Sequence, residues 1–167
     1  MKNIPKPSHF SSIPAPEKRL TIRELLQKRA SAYADKDFLL DPEKERQYSY
    51  LQFYESVNNV SNYLWNQGVR KEDKVSLLMS NSAEYLLALF GIMQIGAVAC
   101  PINIHLKAEE IDYIMQNSDS VALFISQEFL DAALRFSAGG DGKIRHLFTW
   151  DHPGTEGSFS EVRFTIA

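Results

Sequence analysis

One short segment contains the residue types that cradle phosphate groups. Residues 138–143 read Ala-Gly-Gly-Asp-Gly-Lys, and such a turn can offer backbone N–H groups and one cation to an anion. A P-loop requires Gly-x4-Gly-Lys-Ser/Thr between a strand and a helix. Here Ser137 stands at the first glycine position, Ile144 follows the lysine, and the next residues predict a strand. The pattern therefore favours a surface turn over a nucleotide site.

Histidine and aspartate side chains could ligate a metal ion, but their spacing is unfavourable. The candidates are His105, Asp112, His146, Asp151 and His152. No two histidines stand one helical turn apart, and the sequence has no cysteine cluster. Asp151 and His152 occur beside proline and glycine, which is typical of solvated loop residues. We expect no metal site.

Arrangements for nucleophilic or acid–base catalysis are equally weak. The carboxylate pairs are Glu43/Glu45 and Glu109/Glu110, and adjacent residues on a helix point to different sides. No serine stands in Gly-x-Ser-x-Gly, the nucleophile turn of many hydrolases. The one cysteine, Cys100, ends a predicted buried strand, where a thiol behaves as a small apolar side chain. The sequence thus predicts no catalytic, cofactor-binding or metal-binding residue.

Two capping boxes predict where helices begin in the first third of the chain. Thr21 with Glu24 begins one helix, and Ser49 with Gln52 begins another, which should end at Gly68. The core side of the second helix is predicted to be Leu51, Tyr54, Val57, Val60 and Leu64. Tyr54, Tyr63 and Trp65 could stack on a flat ligand, but packing within the helix is the simpler interpretation, with Tyr63 outside the apolar stripe.

Short strands are predicted on both sides of that helix. Before it, the segments Asp37–Leu40 and Gln47–Tyr50 form an antiparallel pair near residues 37–50. After residue 69 strands and helices alternate, which predicts an α/β fold with a mainly parallel sheet and helices on both faces. The predicted strands are Val75–Met79, Ala97–Cys100, Val121–Ile125 and Ile144–Phe148, and the helices are 83–95, 108–116 and 128–136. The helix at 83–95 is apolar nearly all round, so it should be buried on more than one side.

Composition and charge narrow the class of protein. A net charge of -3 and a pI near 5.8 do not suit general nucleic-acid binding. Residues 85–104 carry no charge, but Gly91, Gly96 and Pro101 interrupt them, so we expect no membrane span. Prolines replace the apolar core of a secretory signal, and one cysteine fits a reducing compartment, which together predict a cytoplasmic protein. We expect a lead-in at 1–20, an α/β unit at 21–150, and a loop with the start of a further element at 151–167.

Three segments in register resemble the N-terminal part of the adenylate-forming (AMP-binding) enzymes. They are Tyr48–Phe53, with Phe53 in place of the usual leucine, then 68–85, which contains Asn-Ser-x-Glu, and 95–103, which reads IGAVACPIN. The resemblance covers about residues 20–150. Pro-Ile-Asn followed by a Leu-Lys-Ala-Glu-Glu helix resembles the acyl-CoA synthetase branch. The amino-acid-activating domains more often have aspartate where Asn103 stands.

This resemblance implies an activity for the complete enzyme. A carboxylic acid attacks Mg-ATP to give an acyl adenylate, and CoA then displaces AMP, so ATP, Mg²⁺ and CoA are implied as cofactors. The family's phosphate loop and catalytic motifs match no position here, and we expect this chain alone to be an inactive scaffold. One alternative is a non-catalytic remnant that acts as an interaction module and self-associates through an exposed apolar face of the helix at 83–95. Another is a fragment of an amino-acid-activating domain.

Overall fold

The structure is a computed structural model and describes residues 20–130, 144–150 and 159–162. Its helices are α1 (Ile22–Ala32), α2 (Tyr50–Asn66), α3 (Ala83–Gln94) and α4 (Ala108–Asn117). Its strands are β1 (Asp37–Asp41), β2 (Arg46–Ser49), β3 (Lys74–Leu78), β4 (Val98–Pro101), β5 (Ser120–Ile125), β6 (His146–Trp150) and β7 (Phe159–Val162). The predicted lead-in before Leu20 and most of the predicted helix at 128–136 lie outside the described residues.

The strands form two sheets. In the larger sheet the order is β4-β3-β5-β6-β7; the first four strands run parallel, and β7 is antiparallel to β6. Strands β1 and β2 form a separate antiparallel pair, the hairpin, joined by a short 3-10 turn at Pro42–Lys44. This arrangement confirms the predicted α/β class, with a mainly parallel sheet and an antiparallel pair near residues 37–50.

Helices cover both faces of the parallel sheet. Alternate residues of each strand point to opposite faces, and the apolar ones fall into two clusters accordingly. On one face the strand residues Val75, Leu77, Ala122, Phe124 and Phe148 pack with α1, α2 and α3. On the other face Leu78, Leu123, Ile125 and Leu147 pack with Ile111 and Met115 of α4. The sheet is therefore the centre of a three-layer core.

The predicted helix boundaries have the expected local chemistry. The Thr21 hydroxyl accepts from the Glu24 amide at 3.2 Å, and the Glu24 carboxylate accepts from the Thr21 amide at 2.9 Å. Ser49 and Gln52 make the same reciprocal pair at 3.2 and 2.9 Å. Gly68 follows α2 with φ of +88°, a left-handed conformation that suits glycine at a helix end. Both capping boxes and the stop after α2 are confirmed.

Two predictions about side-chain burial are wrong. Leu51 is 38% exposed, and Phe53 is the buried residue of that turn, at 1%. The helix presents Phe53 to the core because it lies four residues before Val57, so both fall on one face. Cys100 is half-buried instead of a core residue, because β4 is the edge strand of the sheet. The backbone amides of Val98 and Ile102 donate to carbonyl oxygens on the β3 side. The nitrogen of Pro101, which carries no hydrogen, therefore lies on the open side of this edge strand.

The predicted strand at Ile144–Phe148 begins two residues later, at His146. Tyr63 is also placed differently from the prediction, since its ring packs edge-on against Phe148 at 5.5 Å. No helix among the described residues is long and apolar enough to cross a membrane.

Candidate functional site

The histidines considered as metal ligands lie apart. His105 is exposed and follows the end of β4, whereas His146 is the first residue of β6. Because the two strands run parallel, their start and end lie at opposite edges of the sheet. Asp112 accepts a hydrogen bond from Gln116 within α4 at 2.8 Å. Asp151 and His152, like the glycine-rich segment at 138–143, lie outside the described residues.

Within the described part of the chain, no three His, Cys, Asp or Glu side chains come together in a group that could hold a metal ion. Mg²⁺ usually binds through one or two carboxylates together with water and substrate phosphates, so this result shows only that the described residues form no larger metal cage. We derive no chemical step from this cation.

The carboxyl edge of the parallel sheet is the place where open α/β folds bind ligands. Such sites form where the strand order reverses. Here the chain leaves β3 towards β4 on one side and then returns across it to β5 on the other. The reversal point therefore lies between the carboxyl ends of β3 and β5.

Polar side chains at this reversal point bond to one another. The Ser80 amide donates to the Ser126 hydroxyl at 3.1 Å, and the Ser80 hydroxyl donates to the Glu128 carboxylate. The Ser126 amide donates to the Leu78 carbonyl oxygen at 3.0 Å. A ligand that entered between the strands here would have to displace these bonds.

A cluster of four charged side chains joins the hairpin to α3. The Arg46 guanidinium donates to the Glu84 carboxylate at 2.5 Å and to the Asp41 carboxylate at 3.1 Å. The Lys44 ammonium group donates to the second oxygen of Glu84 at 3.0 Å. Glu84 and Asp41 are buried, at 6% and 9% exposure. We call these four residues the Glu84 cluster.

The position of Glu84 follows from the local sequence. The Ser82 hydroxyl accepts from the Tyr85 amide at 3.1 Å and begins α3, which places Glu84 in the first turn. A carboxylate there is favoured by the positive end of the helix dipole. The hairpin turn places Lys44 and Arg46 opposite it. The cap of α3 and the hairpin turn thus place each partner locally, and the fold brings the two cations to one buried anion.

Opposing effects set the protonation of this carboxyl group. Burial acts to raise the pKa of Glu84, but hydrogen bonds from Arg46, from its own backbone amide and from Lys44 lower it further than burial raises it. The net result is a pKa below the ordinary glutamate value. Glu84 is therefore an ionised carboxylate near neutral pH, and it is suited to holding cations in place. A group that must take up a proton in catalysis needs the opposite shift.

The cluster is internally balanced. Two carboxylates face two cations, so neither Lys44 nor Arg46 is offered to a phosphate. The Nε of Arg46 is buried and has no hydrogen-bond partner. The geometry supports a structural link between distant segments. Sequence reasoning recognised Glu84 only as part of the Asn-Ser-x-Glu segment, because nothing in the sequence pairs it with residues some 40 positions earlier.

The described aromatic residues considered as stacking platforms have partners within the chain. The Arg70 guanidinium lies 4.1 Å from the centre of the Trp65 ring and donates to the Trp65 carbonyl oxygen at 2.6 Å. Tyr63 packs on Phe148, as described above. Both arrangements support packing over ligand stacking.

Comparison with known proteins gives the context for this scaffold. The AMP-binding enzyme family matches residues 26–157. The crotonobetaine/carnitine–CoA ligase of Escherichia coli O6:K15:H31 is 30% identical over 149 residues, which are 85% of this chain and 29% of the ligase. The chain thus spans less than a third of the length of that relative.

Solved structures agree with the sequence match. The anthranilate CoA ligase AuaEII, in complex with anthranoyl-AMP, superposes with a TM-score of 0.70 at 30% identity, over 77% of this chain and 24% of that one. The N-terminal domain of FACL13 from Mycobacterium tuberculosis gives 0.74 at 28% identity, over 81% and 34%. These similarities place the chain at the N-terminal part of such enzymes. Given the extent of the family match, the chain belongs to the AMP-binding enzymes.

Proposed function

We propose that the activity associated with this chain is ATP-dependent ligation of a carboxylic acid to CoA, carried out by the longer enzyme of which it matches the N-terminal part. The observation that carries the proposal is the 30% identity to a CoA ligase over 149 residues. The resemblance of the Pro-Ile-Asn segment to acyl-CoA synthetases points the same way. ATP, Mg²⁺ and CoA are the cofactors of that reaction, and the substrate is an acyl carboxylate.

Within that enzyme we assign this chain the role of a scaffold. What supports this role is that Ser80, Ser126 and Glu128 bond to one another at the reversal point, and that Lys44 and Arg46 bond to carboxylates of the Glu84 cluster. The absence of catalytic, cofactor-binding and metal-binding residues stays a prediction from the sequence. So do the limits of the lead-in at 1–20, the α/β unit at 21–150 and the last segment at 151–167.

The test is carboxylate-dependent exchange of pyrophosphate into ATP. We would assay the 167-residue chain beside the complete open reading frame, with fatty and aromatic acids, followed by CoA-dependent release of AMP. We expect exchange from a polypeptide that carries the family's later motifs and none from the 167 residues. Turnover by the 167-residue chain would refute the scaffold role. A complete enzyme that carries those motifs but is inactive with every acid would refute the ligase assignment.

We also propose a cytoplasmic location and no nucleic-acid partner, in keeping with the acidic pI and the lack of a basic surface signal in the sequence.

The isolated chain has a feature that favours self-association. On α3 the apolar residues Leu86, Leu89 and Phe90 are only partly buried, Met93 is 38% exposed, and Val98 at the start of β4 is 46% exposed. Contiguous apolar surface of this kind promotes contact between copies. We expect the 167-residue chain to form concentration-dependent dimers in sedimentation equilibrium, and Met93→Glu to shift it to monomer. A monomer at all concentrations would exclude this proposal.

A further inference from the structure

We propose that the hairpin of β1 and β2 opens as a unit, separately from the parallel sheet, and that the Glu84 cluster is the latch that holds it closed. The inference goes beyond the ligase assignment and does not depend on it, because it rests only on contacts among described residues.

The hairpin has little stability of its own. It is a two-stranded sheet separate from the larger one, and an isolated two-stranded hairpin is at best marginally stable in water. Across Asp37–Asp41 and Arg46–Ser49, Asp41 is the one buried residue. The outer face includes Leu40, which is 63% exposed. Segments with so few buried contacts are the ones that open locally.

Contacts of two kinds, apolar and charged, hold the hairpin, and the apolar ones include Leu39 and Tyr48, which pack against the core cluster on the α2 and α3 side of the sheet. At its base the Phe38 ring lies 4.7 Å from the rings of Tyr50 and Phe53. At its tip Lys44 and Arg46 bond to Glu84 of α3. The base contacts involve residues at the start of α2, which the chain reaches directly after β2. The bonds from Lys44 and Arg46 to Glu84 instead join the tip to α3, which lies nearly 40 residues further along the chain.

The contact between the hairpin tip and α3 depends on one carboxylate, that of Glu84. Glu84 accepts from both cations, and Arg46 already has a buried Nε without a partner. Replacing the Glu84 carboxylate by an amide leaves one neutral oxygen where two charged oxygens accepted from Arg46 and Lys44. Losing one side of a buried charge pair is unfavourable because the remaining charge stays desolvated, and here that charge is Arg46, whose side chain is 22% exposed against 36% for Lys44. Opening the hairpin relieves that cost by returning Arg46 to water.

The location gives the latch a consequence. Glu84 lies in the first turn of α3, so the closed tip sits beside the carboxyl edge of β3. An open hairpin uncovers the first turn of α3 and the aromatic residues beneath its base, while the parallel sheet stays intact.

The experiment is amide hydrogen exchange on the 167-residue chain at constant pH, comparing wild type with Glu84→Gln. We expect amides of β1 and β2 to exchange at least about tenfold faster in the variant. In wild type and variant alike, the hairpin amides should exchange faster, and with a smaller urea dependence, than amides of β3 and β5, which exchange through global unfolding. The matched control is Glu55→Gln, which removes an exposed carboxylate from α2 and should change neither set.

Two results would overturn the latch. One is unchanged exchange in the hairpin of Glu84→Gln, and the other is hairpin exchange that matches β3 and β5 in rate and urea dependence in both proteins. If Glu84→Gln does not fold, Lys44→Met decides the matter, because Arg46 still holds Glu84 in that variant. We then expect about threefold faster exchange in the hairpin, again with a smaller urea dependence than in β3 and β5, and unchanged hairpin exchange would refute the proposal.

Discussion

At the scale of single residues, buried charge is the least expected feature of this scaffold. Glu84 is 6% exposed, and its contacts with Arg46 and Lys44 compensate its desolvation. The helix dipole of α3 adds to that compensation. Glu84 belongs to the Asn-Ser-x-Glu segment of the family resemblance. Its contacts with two cations give a physical reason for glutamate at this position.

The lowered pKa of Glu84 predicts how stability changes with pH. Its folded-state pKa lies below the ordinary value of 4.5, so its contribution is fully present above that pH and is lost as the pH falls through the folded pKa. We expect Glu84→Gln to lower the free energy of unfolding at neutral pH by about 2–3 kcal/mol. The difference from wild type should shrink below about pH 4. Urea unfolding at several pH values measures it, and a difference that stays constant with pH would contradict this prediction.

Arg70 makes a second residue-scale prediction. Its guanidinium covers the Trp65 ring and donates to the carbonyl oxygens of Trp65 and Val69 at 2.6 and 3.0 Å, which satisfies the end of α2. We expect Arg70→Ala to cost about 1–2 kcal/mol of unfolding free energy and to change the fluorescence of Trp65. The control is Arg23→Ala on the exposed side of α1. Equal stability of the two variants would show that the stack contributes nothing.

At the scale of elements, the contact between α2 and α3 is the closest helix packing in the described core. A Cβ on Gly91 would lie 2.6 Å from the Cγ1 of Val60. Beside it the Ser61 hydroxyl contacts the carbonyl oxygens of Val57 and Gly91 at 2.8 and 3.1 Å. Glycine is needed at this position for space, since its backbone is ordinary helix.

Gly91→Ala should therefore be unfavourable despite the better helix propensity of alanine. Overpacking costs about 1–3 kcal/mol and exceeds the roughly 1 kcal/mol gained from propensity. The matched variant is Val60→Ala, which removes the clashing methyl groups. The Cβ of residue 60 stays and would still lie 2.9 Å from the new Cβ, so in the double variant the Gly91→Ala penalty should shrink without vanishing, which a double-mutant cycle of urea unfolding measures as coupling. Additive effects would contradict the steric account.

Elements were the level best predicted from the sequence. The capping boxes at Thr21 and Ser49 and the glycine after α2 are local chemistry, so they could be read without the fold. The burial of Phe53 could not, because Leu51 and Phe53 both fit a helical pattern and only the packing of α2 against the hairpin and α3 decides between them. Cys100 is half-exposed because β4 is the edge strand of the sheet, and the order of strands in a sheet is not local information in the sequence. The Glu84 cluster depends on a contact between distant segments, which a single sequence does not contain.

At the scale of the whole molecule, sequence and fold identify a family member whose described residues organise a scaffold. The sheet carries the two clusters of buried apolar side chains, while Ser80, Ser126 and Glu128 bond to one another at the reversal point between β3 and β5. The proposed scaffold role places the phosphate-binding groups of the family outside these residues.

The most direct test of this account is calorimetric titration of the 167-residue chain with ATP, with Mg²⁺ present and then with Mg²⁺ chelated. We expect no saturable heat in either condition, because Lys44 and Arg46 already bond to Glu84 and the proposed scaffold role places the phosphate-binding groups of the family outside the described residues. Saturable, magnesium-dependent binding of ATP by these residues alone would contradict it.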